Sequence, residues 1–157
     1  MSWFEDYTIG QSRDLGSYCF TEAEIIRFAR KFDPQYFHID PALAAAGPYG
    51  GLIASGWHTA AIWMKQLVAS RAAGLETTDG RRSASGPSPG FLDLKWPTPV
   101  RPNDTIRFTT TVTEKLALPH RPNFGLVRGR NEGINQRGET VLSFIGQVMA
   151  ERRPAGP

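Results

Sequence analysis

Between Lys31 and His58 the chain gathers the residue types that proton transfer requires. Asp33 and His38 stand five residues apart in Asp33-Pro-Gln-Tyr-Phe-His38, and Gly50-Gly-Leu-Ile-Ala-Ser-Gly56 follows, ending on Trp57-His58. The stretch holds two of the three histidines and four of the sixteen glycines. On an unbroken helix, side chains five residues apart diverge. Pro34 disfavours helical geometry at Asp33, so a turn can bring the carboxylate and the imidazole to one point. Such a pair can move protons to and from a shared water if its pKa values are pushed apart. Gly56 precedes a long helical pattern. An unpaired backbone N–H at the positive end of a helix, with no side chain in the way, suits a developing oxyanion. Asp33 and His38 are therefore the candidate catalytic pair, and Gly56 the candidate oxyanion donor. Ser55 reads as an N-cap that could also touch a substrate. Gln35 could orient Asp33 or contact the substrate.

Taken singly, these residues have plainer readings. Asp33 could simply end a helix, and His38 could be a satisfied loop histidine. His58, two residues into the helix, reads as a packing or supporting residue. Tyr36 and Trp57 read as wall or core aromatics, and His120, between prolines, as a solvated loop residue. Cys19 lies in an apolar strand-like run and reads as a buried, inert thiol. No nucleophile elbow marks a Ser/His/Asp hydrolase. No spacing of metal ligands is present.

The elements that must position these groups follow from local pattern. Gln11 to Phe20 favours a first strand. Thr21-Glu-Ala-Glu24 has the form of a capping box, and Ile25, Ile26, Phe28, Ala29 and Phe32 then share a helical face. That helix must stop near Asp33. Asp40-Pro41 starts a short helix that ends by Gly47-Pro48. The longest helical pattern runs from Trp57 to about Ala73 and ends at Gly74. It is apolar on most of its circumference, which predicts a buried helix. Glu76 to Gly90 reads as a long loop. The period then changes: Phe91 to Trp96, Thr105 to Leu116, Phe124 to Asn135 and Thr140 to Glu151 favour strands. Residues 152–157 read as a frayed tail. The order predicts one α+β domain over residues 1–157, with an antiparallel sheet of about five strands wrapped around one long central helix. One sheet and one helix leave an apolar face and sheet edges uncovered, which predicts a homodimer or higher homo-oligomer.

Composition limits the function. The chain has 157 residues, 40% hydrophobic and 21% charged, with a net charge of +3 and a single cysteine. A chain of this size can bury a normal core. The mild positive charge suits an anionic small molecule. No run of Lys/Arg exceeds a pair, which argues against nucleic acid. One cysteine excludes an internal disulfide. The N-terminus lacks the features of a signal peptide, and no stretch is long enough to span a membrane. The expected location is the cytoplasm.

Asp33-Pro-Gln-Tyr-Phe-His38 followed by Ile39-Asp40 resembles the Asp-x-Asn-Pro-x-His motif of MaoC-like (R)-specific enoyl-CoA hydratases, which have the hotdog fold. Tyr49-Gly-Gly-Leu-Ile-Ala-Ser-Gly56 is similar to that family's Phe-Gly-x-x-Ile-Ala-His-Gly. Leu94-Lys-Trp-Pro-Thr-Pro-Val-Arg-Pro-Asn-Asp104 is similar to its strand and turn ending in Pro-x-Gly-Asp. The resemblance covers about Phe4 to Ala150. It departs at Gln35 for Asn, Tyr36 for Pro, Ser55 for His and Asn103 for Gly, and Met64 stands where some members have a serine. The resemblance implies a hydro-lyase that adds water reversibly to a trans-2-enoyl-CoA or carrier-protein thioester, as in fatty acid metabolism. CoA would arrive as part of the substrate, with no separate cofactor. A hotdog thioesterase and a non-catalytic acyl-thioester-binding protein remain open as alternatives, since fold alone does not separate them.

Overall fold

A computed structural model describes residues 3–72 and 86–154. Most of the expected Glu76–Gly90 loop, the expected helix stop at Gly74 and residues 155–157 lie outside them. A one-turn 3-10 helix at Phe4–Asp6 is followed by strand β1 (Ser12–Cys19) and helices α1 (Glu22–Phe32), α2 (Tyr36–Ile39), α3 (Pro41–Ala46) and α4 (Gly56–Ala72). Strands β2 (Phe91–Lys95), β3 (Thr105–Ala117), β4 (Phe124–Ile134) and β5 (Thr140–Glu151) complete the order. All five strands form one antiparallel sheet in the order β1-β3-β4-β5-β2. The long helix packs on one face of the sheet, the α+β arrangement that the element order predicts.

Local chemistry accounts for most element boundaries. Thr21 caps α1: its hydroxyl accepts from the Glu24 N–H, and the Glu24 carboxylate accepts from the Thr21 N–H. The Tyr18 hydroxyl also donates to Glu24 at 2.7 Å, tying the end of β1 to the start of α1. Asp40 caps α3 by accepting from the N–H groups of Ala42 and Leu43, with Pro41 as the first helical residue. α2, a single turn, has no sequence signal of its own. Asn103 has φ +67. Asparagine tolerates this left-handed geometry better than most residues, which explains how it can stand where the resembling motif has glycine. The following Asp104 is 3% exposed. It accepts from the Arg101 N–H, Gln136 and Arg137, and so locks the turn that leads into β3.

The core lies between α1, α4 and the inner face of the sheet. Phe20, Ile25, Ile106, Phe108 and Leu142 are fully buried there. Three burial expectations need correction. α4 is not buried all round: His58, Thr59, Ile62, Trp63 and Leu67 face the core, while Trp57, Met64 and Val68 are exposed. The sheet covers only one side of the helix, so the second apolar stripe is left bare. Cys19 is exposed. It alternates with the buried Phe20 along an edge strand and takes the outward position. Tyr36 and Trp57 are also exposed, at 42% and 54%, and are not core residues.

Candidate active site

Helix α1 ends one residue before Asp33, whose N–H still bonds to the Ala29 carbonyl at 2.8 Å. Asp33 leaves helical geometry, at φ −152 and ψ 67, and Pro34 follows. The chain re-enters a helical turn at Tyr36, which swings His38 back beside the end of α1. The Asp33 Oδ2 and His38 Nε2 atoms are 3.4 Å apart. Pro34 thus does what the spacing requires, converting a five-residue separation into one site.

His38 is 5% exposed and held from behind. Its Nδ1 lies 2.7 Å from the Ile53 carbonyl oxygen. A carbonyl only accepts, so this contact assigns the ring proton to Nδ1. In neutral His38 the lone pair is then on Nε2, facing the Asp33 carboxylate. The strip 52–55 that presents Ile53 is itself pinned: Ile53 N–H donates to the Phe37 carbonyl and Ala54 N–H to Val100. Main-chain carbonyls carry no residue signature, so the role of Ile53 is not visible in the sequence.

Asp33 is fixed by two side-chain donors. The Ser55 hydroxyl donates to Oδ2 at 2.7 Å, and the Gln35 amide donates to Oδ1 at 2.8 Å. Burial pushes the Asp33 pKa up, but the hydrogen bonds from Ser55 and Gln35, with His38 beside it, outweigh burial and hold it below the ordinary value. Gln35 thus orients Asp33, one of its two anticipated roles. Ser55 does more than cap. Its oxygen also accepts from the Trp57 N–H at 3.3 Å, so one hydroxyl joins the Asp33 carboxylate to the start of α4.

Gly56 is the first residue of α4. Among the described residues no acceptor takes its N–H, as expected at a helix start. Its missing side chain also makes room for packing. A Cβ there would lie 2.5 Å from the Trp96 ring, so the glycine lets Trp96 pack onto the helix start. Trp96 also meets Trp57 edge to face. Sequence reasoning did not single out Trp96, although it lies within the quoted strand-and-turn segment.

His58 does not join the pair. It stacks on Phe28 at 4.5 Å and meets Phe20 edge-on. Its buried Nδ1 has no hydrogen-bond partner. Burial lowers its pKa to about 4, so it packs as a neutral ring. Among the described residues, no three His, Cys, Asp or Glu side chains converge as a metal site would require.

An ionised carboxylate and an imidazole lone pair facing each other are both acceptors. At 3.4 Å nothing fits between them, but a proton-bearing molecule such as water can lie beside the pair and donate to both. A helix N-terminus with a free N–H begins at the residue after Ser55, which holds the carboxylate. This arrangement can activate water beside an anion-stabilising donor.

Comparison with known proteins bears on the chain as a whole. A model of the MaoC like domain matches residues 5–124. An uncharacterised protein of Bacillus subtilis, YdeM, is 30% identical over 148 residues, covering 94% of this chain and 98% of that protein. Mesaconyl-CoA hydratase from Cereibacter sphaeroides is 39% identical over 66 residues, covering 41% of this chain but only 18% of that enzyme. The crystal structure of a MaoC-like dehydratase from Rhodospirillum rubrum superposes with a TM-score of 0.82 at 37% identity, covering 99% of this chain and all of that one. With the family model spanning most of the chain and the sheet and long helix matching throughout, this protein is a member of the MaoC-like dehydratase family, with the hotdog fold.

Proposed function

We propose that the protein is an acyl dehydratase, or enoyl-thioester hydratase, that adds water reversibly to a trans-2-enoyl thioester. The observation that carries this reading is the 3.4 Å approach of Asp33 Oδ2 to His38 Nε2, with the other imidazole nitrogen committed to the Ile53 carbonyl. A water lying beside the pair donates one hydrogen to each acceptor. His38 Nε2 takes a proton as the water oxygen bonds to the β-carbon. The alkene electron pair moves onto the thioester, and its oxygen takes up negative charge. The Gly56 N–H and the positive end of α4 stabilise that charge. His38 then returns the proton to the α-carbon. Asp33, held ionised by Ser55 and Gln35, orients the water and stabilises the imidazolium. The proton leaves and returns through one nitrogen, so hydroxyl and hydrogen add to the same face.

This reaction needs no cofactor beyond the CoA or carrier-protein thioester of its substrate. Family membership and the partial likeness to a named CoA hydratase support the assignment. The protein is proposed to act as a homodimer in the cytoplasm, within acyl-thioester metabolism. Among the described residues no helix is long and apolar enough to cross a membrane.

The test is incubation with 2-enoyl-CoA thioesters of graded chain length, followed both at the enoyl absorbance and by assay of free thiol. Loss of the enoyl signal without thiol release is expected. Thiol release would instead make the protein a thioesterase.

A further inference from the structure

A cavity of about 390 Å³ opens between the second half of α4 and the inner face of the sheet. It does not include Asp33 or His38. It starts at Trp63 and Met64 and extends to Ser70 and Arg71. With a rise of 1.5 Å per residue, Met64 lies about 12 Å along the helix axis from Gly56. The sheet side is built from alternate residues, which share one face: Val112 of β3, Val127 and Gly129 of β4, Gly146 and Val148 of β5. Gly129 and Gly146 are direct cross-strand partners. These two facing glycines contribute backbone to the lining.

The chemistry of the lining is asymmetric. Two cations line the cavity, Arg13 of β1 and Arg71 near the end of α4, while none of the described lining residues is Asp or Glu. Among the described residues neither arginine has an ion-pair partner. The arginines that do form ion pairs, such as Arg107 with Asp14 and Arg137 with Asp104, use carboxylates outside the cavity lining. Leu67, Trp63 and Val112 supply an apolar wall, and Gln11, Asn131 and Gln147 supply polar groups. Two arginines at one cavity, neither ion-paired among the described residues, are suited to recognition of a carboxylate.

We propose that this cavity holds the far end of an aliphatic chain that terminates in a carboxylate, with Arg13 and Arg71 as the carboxylate-binding residues. Resting on the hydratase reading, the chain is the acyl group of a thioester bound at Asp33 and His38. Its length must carry it at least two helical turns along α4. Side chains on a helix lean toward its N-terminus, which brings the Arg71 guanidinium back toward the incoming chain. The substrate class is then a medium- to long-chain acyl thioester with a distal carboxylate.

The test is calorimetric binding of dodecanedioyl-CoA, as its monothioester, and of dodecanoyl-CoA. Both are saturated, so binding is read without hydration, and a failure of the hydratase reading would show in the enoyl assay instead. The wild-type protein should bind the carboxylate-ended ligand about tenfold more tightly or better. Arg13→Gln and Arg71→Gln should each reduce that preference several-fold and leave dodecanoyl-CoA affinity within about twofold. Free dodecanedioate is the third ligand. If it binds as tightly as the thioester, with the same losses in both variants, the carboxylate site stands and its ligand is a free diacid. Equal or weaker binding of the carboxylate-ended ligands, or a preference that both variants retain, would overturn the proposal.

Discussion

Asp33 accepts from Ser55 on one oxygen and from Gln35 on the other, and Ser55 also meets the first turn of α4. Removing the hydroxyl should therefore change the titration of the carboxylate before it changes the fold. In Ser55→Ala, Asp33 loses a donor that favours its ionised form, so its pKa rises. The acidic limb of the kcat/KM profile should move to higher pH, with a smaller loss at neutral pH. An unshifted acidic limb would remove Ser55 from the support of Asp33. The same lowered pKa has a stability consequence. The folded state holds Asp33 below its ordinary value of 3.8, so its stabilising contribution is complete above that value and is lost as pH falls through the folded pKa. His58 also acts through its titration. Its folded pKa of about 4 lies below the ordinary 6.5, so below pH 6.5 the unfolded chain binds the proton more readily. Stability should fall as pH drops from about 6.5 to about 4, by on the order of 3 kcal/mol in total. Chemical denaturation of the wild type and His58→Phe across this window should show a flatter dependence in the variant. Parallel curves would mean that His58 is not buried as a neutral ring.

At the scale of elements, the start of α4 joins packing and chemistry in one residue. Gly56→Ala is not the clean probe of oxyanion binding that its position invites, because the new methyl group meets Trp96. The variant should lose thermal stability, and Gly56→Ala combined with Trp96→Leu should recover part of the lost Tm. If Gly56 also donates to the thioester oxygen, kcat per folded molecule in Gly56→Ala falls roughly tenfold, more than binding does. Equal kcat per folded molecule would leave Gly56 a packing glycine only. Most elements were legible because their signals are local. The Thr21 capping box, the stop before Pro34, the Asp40-Pro41 start and the four strand patterns each act within a few residues. The α2 turn was not legible, since Tyr36–Ile39 is held by contacts to α1 and α3 rather than by its own sequence. The pair Asp33 and His38 could be read from spacing and resemblance. The Ile53 carbonyl and the ring of Trp96 could not, because one is main chain and the other reaches Gly56 only through the fold.

The whole molecule leaves Trp57 and Val68 exposed along the outer side of α4, with Met64, Phe91, Leu92 and Trp96 also exposed. The sequence reading placed this apolar helix wholly inside. Its two apolar stripes are real, but a single chain has a sheet to cover only one of them. A pattern of hydrophobic residues marks what prefers to be buried, not which chain buries it. A second copy covering the outer stripe would satisfy both observations. Light scattering should give at least twice the 17.4 kDa chain mass, and Val68→Glu should shift the population toward monomer. A monomeric wild type at working concentration would contradict this.

The central claim is that Asp33 and His38 act as one unit on one water. Steady-state hydration of the best enoyl-CoA substrate by the wild type, Asp33→Asn, His38→Ala and the double variant tests it most directly, with circular dichroism and melting on the same samples. Each single variant should lower kcat at least about a hundredfold while remaining folded, and the double should be little worse than either. Near-normal turnover in Asp33→Asn, or losses that multiply in the double variant, would contradict the account.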